Sequence, residues 1–483
     1  MKVKEILNIV GGELLAGSYE TEVGEIKQNS QSITKGDTFI AIEGENTDGH
    51  KYINDAIKNG AKLLIISKNE EINKKDVACI LVNNTEKALY DIVKYKLSVD
   101  NPIIIGVTGS VGKTSTKEAL AEVLGKKFEV FKTPKNLNTK RGMSLAIAST
   151  DENMEIVVTE MGMDGFGQIA EMSKFFEPNI AIITNVGSSH IGNLGSKENI
   201  LKAKLEIVDG LKDNGLLILN NDNEMLREYA KKEKQRQINL DQIEEEGKFS
   251  KIKRVNIITY GLSEDSDIKI KNIENLEEET KFDLEAQNKT NTYKINTVGK
   301  HNIYNVTPAI YIAEMFEMTR EEIEDALLNI KSTERRMDRF VTISNILVYD
   351  DSYNASYESV VAALDTIKSK KHYGRNVAIL GDILELGDYS EEYHKKIAKE
   401  LIKNNFDVVI TAGELTKYII EEIENENTNI KTYHFKDADE INDNLDYILR
   451  TDDVVLIKAS NSMNFNLVAN KLRKEEVDPA KYK

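Results

Sequence analysis

The chain has 483 residues, enough for about three domains, and its single cysteine excludes an internal disulfide and is typical of a reducing compartment. Asp and Glu (81) outnumber Lys and Arg (64), and the resulting net charge of −17 argues against a nucleic-acid-binding protein. No apolar run approaches the roughly 18 residues of a membrane span and the start lacks a signal-peptide pattern, so we expect a cytoplasmic protein without a membrane span.

Short strands and helices alternate in the first segment of the chain. Predicted strands cover 37–42, 62–67 and 79–82, and predicted helices cover 52–61 and 87–97. The pair Asn101-Pro102 ends this segment, because a residue before proline leaves the helical region. We therefore predict a first domain over residues 1–98.

The second segment alternates apolar strands with helical stretches up to about residue 331. Strands are predicted at 103–107, 154–160, 179–186 and 215–220. This alternation is typical of a parallel sheet with crossover helices, so we predict an α/β domain over residues 99–331. Its later part, 231–296, is highly charged, and we interpret it as the surface of a solvated helix and an edge hairpin.

The turn after the first of these strands carries the strongest motif of the chain, TGSVGKTS at 108–115. Two glycines let backbone N–H groups approach a polyphosphate, and the helix N-terminus adds positive potential. Lys113 can neutralise the outer phosphates and Thr114 can ligate Mg²⁺. The longer eight-residue pattern fails at Val107, but the shorter form fits its strand–turn–helix setting. The motif predicts binding of a nucleoside triphosphate.

A third series of strands and helices fills residues 332–483. Its predicted strands are 345–351, 375–382, 407–413 and 453–460. We predict a separate open α/β domain here.

Polar side chains collect where the predicted strands end. They are Glu160, Asn185, His190, Asp350, Asp351 and Asp382. Ligands of open parallel sheets bind at the carboxyl ends of the strands, so these positions predict an active site. Glu160 has the hard oxygen atoms that Mg²⁺ prefers. Lys204, by residue type alone, would be a solvated lysine no different from Lys202.

The motifs together resemble those of the Mur ligases. They are TGSVGKTST, EMG, TNVGSSHIGNLGS, KAKLEI, GKHNIYN, DDSYNA and GDILELG followed by His394, in collinear order over nearly the whole chain. The N-terminal stretch GDTFIAIEGENTDGHKYINDAIKNGA is similar to the opening domain of the same family. The resemblance implies a three-domain α/β architecture: a UDP-sugar-binding domain, a central P-loop domain with a parallel sheet, and a C-terminal Rossmann-like domain.

The resemblance also implies roles for individual residues. ATP would be bound by Thr108, Gly109, Ser110, Val111, Gly112, Lys113, Thr114, Ser115, Asn302, Asn305, Arg336 and Asp351. Two Mg²⁺ ions would be held by Thr114, Glu160, His190 and Lys204, the last as a carbamylated lysine. Lys113, His190 and Lys204 would be the catalytic residues. Substrate would be held by Ser30, Asp48, His50 and Asn138.

Within the family, the resemblance is strongest to the branch that joins D-alanyl-D-alanine to UDP-N-acetylmuramoyl-tripeptide in peptidoglycan synthesis. That reaction implies an acyl phosphate made from ATP, small-molecule substrates and a monomeric, cytoplasmic enzyme. Three stretches depart from the family pattern: Gln31 stands where an arginine is expected, 135–139 reads KNLNT, and 458–461 reads KASN.

Three alternatives stay open at this point. One is another amide ligase of the same superfamily with a different acceptor. The second is a P-loop switch or motor, although no NKxD base-reading motif follows a suitable strand. The third is a catalytically silent scaffold, against which the retained Lys113, Glu160, His190 and Lys204 argue.

Overall fold

The structure is a computed structural model. It describes residues 1–44, 47–68, 77–134, 137–150, 153–245, 254–276, 279–297, 299–330, 334–368, 374–426 and 428–477, with side chains of 239–245 not described. Within these ranges no helix is both long enough and apolar enough to cross a bilayer. Lys135 and Asn136, two of the residues that depart from the family pattern, lie outside the described residues.

A five-stranded sheet forms the N-terminal part. Its elements are α1 (Val3–Val10), β1 (Glu13–Ala16), β2 (Ile26–Lys27), β3 (Thr38–Ile40), α2 (Ile53–Lys58), β4 (Leu63–Ile66), β5 (Ala78–Leu81) and α3 (Thr85–Asp100), with 3₁₀ turns at Ser30–Ser32 and Gly49–Tyr52. The strand order is β1-β5-β4-β3-β2, and only β1 runs antiparallel to its neighbour. Helix α3 ends where Asn101 takes a left-handed conformation (φ 46°) directly before Pro102.

A nine-stranded sheet forms the central part. Its strands are β6 (Ile103–Thr108), β7 (Val130–Lys132), β8 (Ile156–Glu160), β9 (Ile180–Ile183), β10 (Gly215–Asn220), β11 (Val255–Gly261), β12 (Ile268–Asn275), β13 (Thr280–Ala286) and β14 (Lys289–Ile295). Its helices are α4 (Lys113–Leu124), α5 (Lys140–Ser149), α6 (Gln168–Phe176), α7 (Ile191–Leu194), α8 (Lys197–Leu205), α9 (Ile207–Gly210), α10 (Glu224–Glu245), α11 (Lys300–Met315) and α12 (Arg320–Asn329).

The prediction of a parallel central sheet holds for seven of these strands, and the other two form the edge hairpin that was predicted within 231–296. Strands β13 and β14 form an antiparallel meander with β12. The strand order is β14-β13-β12-β11-β10-β9-β6-β8-β7, which places β6 between β8 and β9. After β6 the chain crosses to β7 on one side of β6, and it later enters β9 on the other side of β6. The loop after β6 therefore opens at a topological switch point, where open α/β sheets bind their ligands.

A six-stranded sheet forms the C-terminal part. Its elements are β15 (Asp338–Val341), β16 (Leu347–Asp350), α13 (Tyr357–Lys368), β17 (Asn376–Gly381), α14 (Ser390–Lys403), β18 (Val408–Ala412), α15 (Lys417–Asn425), β19 (Lys431–Phe435), α16 (Ala438–Ile448), β20 (Val454–Lys458) and α17 (Asn466–Arg473), with 3₁₀ turns at Leu384–Tyr389 and Asn461–Met463. The order is β15-β16-β20-β17-β18-β19, and all neighbours are parallel except β15 and β16.

The C-terminal part contacts the central part through the 3₁₀ turn Leu384–Tyr389, which packs on α7. Tyr389 donates its hydroxyl to the carbonyl of Gly195 at 2.8 Å. At a second contact, Ser188 donates its hydroxyl to the Glu358 carboxylate at 2.8 Å. These contacts hold the carboxyl ends of the central and C-terminal sheets on either side of one cavity.

Candidate active site

A cavity of 820 Å³ lies between the central and C-terminal sheets. We call it the central cavity. It is lined by every residue predicted from the resemblance to bind nucleotide or metal, and by Asn138. Among these predicted residues, the two that are farthest apart in sequence, Thr108 and Asp351, are separated by 243 positions and still line the same cavity.

The phosphate loop needs its two glycines for steric reasons. Gly109 has φ 151°, and a Cβ there would lie 1.9 Å from Thr184 Oγ1. Gly112 has φ 87°, and a Cβ there would lie 2.6 Å from Asn305 Oδ1. Only glycine combines these backbone angles with such close neighbours.

Lys113 begins α4 and turns back over the phosphate loop. Its Nζ donates to the carbonyl of Gly109 at 2.9 Å. Burial lowers the pKa of Lys113, while Glu160 opposes this shift and Arg336 adds to it. The lysine thus lies where an anion bound in the loop would contact it and would favour its charged form.

Asn185 organises the same loop. Its Oδ1 accepts hydrogen bonds from the backbone N–H groups of Ser110 and Val111, each at 2.9 Å. These N–H groups therefore point together at one oxygen atom, the arrangement that a phosphate oxygen requires. Asn185 was predicted as a site residue because it follows a strand. Its residue type did not predict that it would accept hydrogen bonds from the phosphate loop.

Thr114, Glu160 and Arg336 meet beside the loop. Thr114 donates its hydroxyl to Glu160 Oε2 at 2.8 Å, and Glu160 is only 4% exposed. Arg336 donates to Thr114 Oγ1 at 3.1 Å, and its Nε is buried without a hydrogen-bond partner in the described part of the chain. A buried guanidinium N–H without a partner is costly, so this group is suited to bind an anionic ligand.

These oxygen atoms fit Mg²⁺. Among the described residues no group of three His, Cys, Asp or Glu side chains could hold an ion alone. Mg²⁺ does not need one, because it is commonly bound through one or two carboxylates together with water and substrate phosphates. Thr114 and Glu160 beside the phosphate loop offer that donor set.

His190 lies in the wall of the central cavity beside the phosphate loop, because the neighbouring Ser189 donates its hydroxyl to the Ser110 carbonyl at 3.3 Å. It adopts a left-handed conformation (φ 65°) at the start of α7, and its Nδ1 is 3.2 Å from Glu385 Oε2 and 3.7 Å from Asp164 Oδ1. Burial lowers the pKa of His190 to about 4, and Lys113 and Lys204 contribute to this shift. The ring is therefore neutral at pH 7, the form in which histidine binds a metal.

Lys204 is buried at the same wall. It is 1% exposed, whereas Lys202 on the same helix is exposed. Burial lowers the pKa of Lys204 well below its usual range, and Lys113 adds to this effect. The expectation from residue type, a solvated lysine, is therefore wrong for Lys204 and correct for Lys202.

Of the acids that end the C-terminal strands, only Asp351 lines the central cavity. It accepts a hydrogen bond from the Met337 backbone N–H at 3.2 Å and pairs with Lys458. Asp350 is buried away from the cavity and accepts from the Ser352 backbone N–H. Asp382 accepts from the backbone N–H groups of Leu415 and Thr416, so it fixes a loop. The prediction that all the strand-end acids serve the site is therefore wrong for Asp350 and Asp382.

The predicted sugar-site residues of the N-terminal part do not line the central cavity. Asp48 Oδ1 is 2.6 Å from His50 Nδ1, and His50 Nε2 accepts from the Ser67 backbone N–H at 3.0 Å. Hydrogen bonds from Lys68 and His50 hold the pKa of Asp48 far below its usual range. Ser30 is buried in its 3₁₀ turn. The role of Ser30, Asp48 and His50 in binding substrate stays a prediction.

Asn138 lies within the segment 135–139, in which the sequence departs from the family pattern. Its carbonyl accepts from the Gly162 backbone N–H at 3.0 Å, which anchors it beside the strand end at Glu160. Thr139, which replaces the expected asparagine, caps α5 by accepting from the Gly142 backbone N–H at 3.2 Å. This departure therefore preserves the helix start that positions Asn138.

Glu385 is a cavity residue that the sequence reasoning did not select. It lies inside the motif GDILELG, which contributed to the family resemblance but predicted no role for Glu385 itself. The available signal was an acid shortly after a predicted strand end. His394, quoted with the same motif, is fully buried, and its Nε2 accepts from the Ile383 backbone N–H at 3.3 Å. It supports this segment and does not line the cavity.

Sequence profiles of three related domains match the chain. They are "Mur ligase family, catalytic domain" over residues 22–126, "Mur ligase middle domain" over 107–253 and 237–313, and "Mur ligase, glutamate ligase domain" over 335–461.

Two relatives match over almost their whole length. The UDP-N-acetylmuramoyl-tripeptide–D-alanyl-D-alanine ligase of Bacillus subtilis is 32% identical over 472 residues, which are 97% of this chain and 98% of the relative. The enzyme of the same name from Rickettsia prowazekii is 32% identical over 453 residues, which are 94% and 96%.

Solved structures agree with this relationship. MurF ligase from Thermotoga maritima, in complex with ADP, is 27% identical with a TM-score of 0.78, covering 95% of this chain and 99% of that one. MurF from Acinetobacter baumannii, at 24% identity and a TM-score of 0.82, covers 98% of both chains and shares the fold. From its sequence profiles and its relatives, the chain belongs to the Mur ligase family.

Proposed function

We propose that this chain is an ATP-dependent ligase that joins D-alanyl-D-alanine to UDP-N-acetylmuramoyl-tripeptide in the synthesis of peptidoglycan. The end-to-end similarity to ligases of that name carries the proposal. The central cavity supports it, because the phosphate loop, Glu160, His190 and Lys204 all face one space. A switch, a motor or a silent scaffold would not require that combination.

ATP would bind with its phosphates in the loop from Thr108 to Ser115. Lys113 would neutralise the outer phosphates, and Arg336 would offer its free Nε to an anionic oxygen. Asn302 and Asn305, from α11, would contact the adenine side, and Asp351 would close over the nucleotide from the C-terminal part.

Two Mg²⁺ ions would neutralise charge on the phosphates during phosphoryl transfer. Thr114 and Glu160 would hold the first ion, since their oxygen atoms already lie together beside the phosphate loop. His190, with its neutral ring, and Lys204, as a carbamate, would hold the second. The lowered pKa of the buried Lys204 favours that modification, because the free amine is the form that adds CO₂.

The reaction would proceed in two steps. The γ-phosphoryl group passes from ATP to the free carboxylate of the tripeptide, which gives an acyl phosphate and ADP. The dipeptide amine then attacks the acyl carbon, and the tetrahedral intermediate expels phosphate to leave the amide. Lys113 and Arg336 would hold the phosphoryl oxygens, and the C-terminal part would exclude the water that otherwise hydrolyses the acyl phosphate.

The division into domains and the remaining properties are part of the proposal. We propose domains at 1–98, 99–331 and 332–483, each of which contains one sheet. The first would bind the UDP-sugar through Ser30, Asp48 and His50, with Asn138 contacting substrate from the central domain. We propose a monomeric enzyme of the cytoplasm, in keeping with its nucleotide substrates and its single buried thiol.

A product assay tests the function. The protein is incubated with ATP, Mg²⁺, UDP-muramoyl-tripeptide and D-alanyl-D-alanine, and the product is identified by mass. The pentapeptide product with release of ADP and phosphate is expected. ATP-dependent product with another amine and none with the dipeptide would assign a different acceptor within the family.

Domain closure gives a prediction of its own. Gly192, in α7, lies so close to the turn Leu384–Tyr389 that a Cβ would be 2.7 Å from the Gly387 nitrogen and 3.0 Å from the Glu385 carbonyl. Overpacking of this kind costs about 1–3 kcal/mol, so Gly192→Ala should disfavour the closed arrangement by roughly ten- to a hundredfold. We expect a comparable fall in kcat, with less compaction on nucleotide binding measured by small-angle scattering.

Gly165→Ala is the matched control for this variant. Gly165 lies on the loop after β8, and an added Cβ meets nothing within 4 Å. It should behave like the parent. If Gly192→Ala matches the parent in both kcat and compaction, the observed packing of the two parts is not the active arrangement.

A further inference from the structure

The turn Leu384–Tyr389 carries Glu385 from the C-terminal part into the central cavity. Gly387 has φ 54° and ψ −131°, and its backbone packs directly on Gly192 of α7. Tyr389 fixes the far end of the turn to the carbonyl of Gly195. Two points of contact therefore hold Glu385 against His190, at 3.2 Å from its Nδ1.

Among the described residues, six acids line the central cavity, and most of them already have a partner. They are Glu118, Glu160, Asp164, Asp338, Asp351 and Glu385. Glu118 pairs with Lys132, Asp338 with Arg473 and Asp351 with Lys458. Glu160 accepts the Thr114 hydroxyl and lies on the phosphate side.

Asp164 and Glu385 are the two acids left without a lysine or arginine partner in the described part of the cavity. The Asp164 side chain is 80% exposed, so solvent screens its charge. The Glu385 side chain is 39% exposed and lies 3.2 Å from His190 Nδ1. Glu385 is therefore the less exposed of the two cavity acids without an ion pair to lysine or arginine, and the charges of Lys113 and Lys204 act on it only from beyond ion-pair distance.

The proposed reaction needs such a group. The dipeptide arrives as an ammonium ion, because the pKa of an α-amino group is about 7.7–8.0. Its nitrogen must lie next to the acyl carbon once the acyl phosphate has formed. A carboxylate that enters with the C-terminal domain would hold this last substrate only in the closed arrangement, when the acyl phosphate is protected from water.

We propose that Glu385 binds the ammonium group of the incoming D-alanyl-D-alanine and holds its nitrogen next to the acyl phosphate, where the amine attacks once one proton has passed to solvent water. The inference rests on the proposed function. It concerns binding and placement, so Glu385 should affect use of the dipeptide more than use of ATP or the UDP-substrate.

The test is steady-state kinetics of Glu385→Gln, which keeps the shape of the side chain and removes its charge. Loss of a charged hydrogen bond should raise KM for the dipeptide by about ten- to a hundredfold. KM for ATP, KM for the UDP-substrate and the Mg²⁺ requirement should stay within about twofold. Asp388→Asn is the control, because it removes an exposed acid from the same turn.

A second measurement isolates the first half-reaction. With hydroxylamine in place of the dipeptide, Glu385→Gln should still form the acyl hydroxamate and ADP at the parent rate. An unchanged KM for the dipeptide would overturn the inference. A raised Mg²⁺ requirement with loss of hydroxamate would also overturn it, and would assign Glu385 to the metal. If the parent itself forms neither hydroxamate nor pentapeptide, the proposed function fails instead.

Discussion

Replacement of Lys113 by alanine is expected to remove nearly all ligase turnover. Its Nζ lies over the phosphate loop, 2.9 Å from the Gly109 carbonyl, where it would neutralise charge that develops on the transferred phosphoryl group. Removing one such group from a preorganised site costs about 3–4 kcal/mol, or roughly a hundred- to a thousandfold in kcat. Initial rates of ADP release and of product formation measure this loss.

The fold should survive this substitution. Lys113 makes no salt bridge to a carboxylate among the described residues, and Glu160 keeps its hydrogen bond from Thr114. No buried acid is therefore left without its partner, and the thermal unfolding midpoint should stay close to that of the parent. A folded Lys113→Ala variant with kcat within tenfold of the parent would contradict the assignment of the phosphate loop.

The phosphate loop and the strand ends could be predicted because their signals are local. Glycines at 109 and 112 take the positive φ angles of this βα turn, so the turn itself calls for them, although the neighbours that crowd them, Thr184 and Asn305, come from distant elements. Glu160, Asn185 and Asp351 follow from the rule that parallel strands expose their carboxyl ends at one edge. The same rule selected Asp382, but hydrogen bonds to two backbone N–H groups commit that residue to a loop. Position at a strand end does not reveal which partners a side chain will find.

The antiparallel edge of the central sheet was partly visible in the sequence. In β13, Thr280, Phe282 and Leu284 are buried and alternate with polar residues, which is the pattern of a strand with one covered face. The edge hairpin predicted within 231–296 is formed by β13 and β14, in a segment that also holds many charged residues. These charged residues belong to the exposed positions of the meander and to α10, and their charges are compatible with folding in both places.

The burial of individual side chains and the contacts between domains could not be predicted from the sequence. Lys202 and Lys204 are two residues apart on α8, and only the packing of that helix decides that Lys204 enters the cavity. Glu385 reaches His190 because two glycines, Gly192 and Gly387, let separate domains approach closely. Such contacts form only in the folded molecule. The motif GDILELG could therefore indicate the family but not where Glu385 lies.

Lys204 carries the second prediction with a large expected effect. The family resemblance implies that this lysine is carbamylated, and its buried position supports that interpretation. Its ammonium has no salt bridge among the described residues, and burial lowers its pKa well below the usual range. The neutral amine can add CO₂ with loss of a proton, which leaves a carbamate anion near His190.

Lys204→Ala should therefore be inactive, and Lys202→Ala, an exposed lysine on the same helix, should retain the activity of the parent. Formate or acetate should restore part of the activity of Lys204→Ala, because a small carboxylate can replace the missing anion. Removal of CO₂ should lower the activity of the parent at neutral pH, and bicarbonate should restore it. Labelled ¹³CO₂ should give a carbamate signal that is absent from Lys204→Ala. A crystal structure at high bicarbonate with an unmodified Lys204 ammonium would show that the lysine acts as a cation, and the second metal site would then have to be built without it.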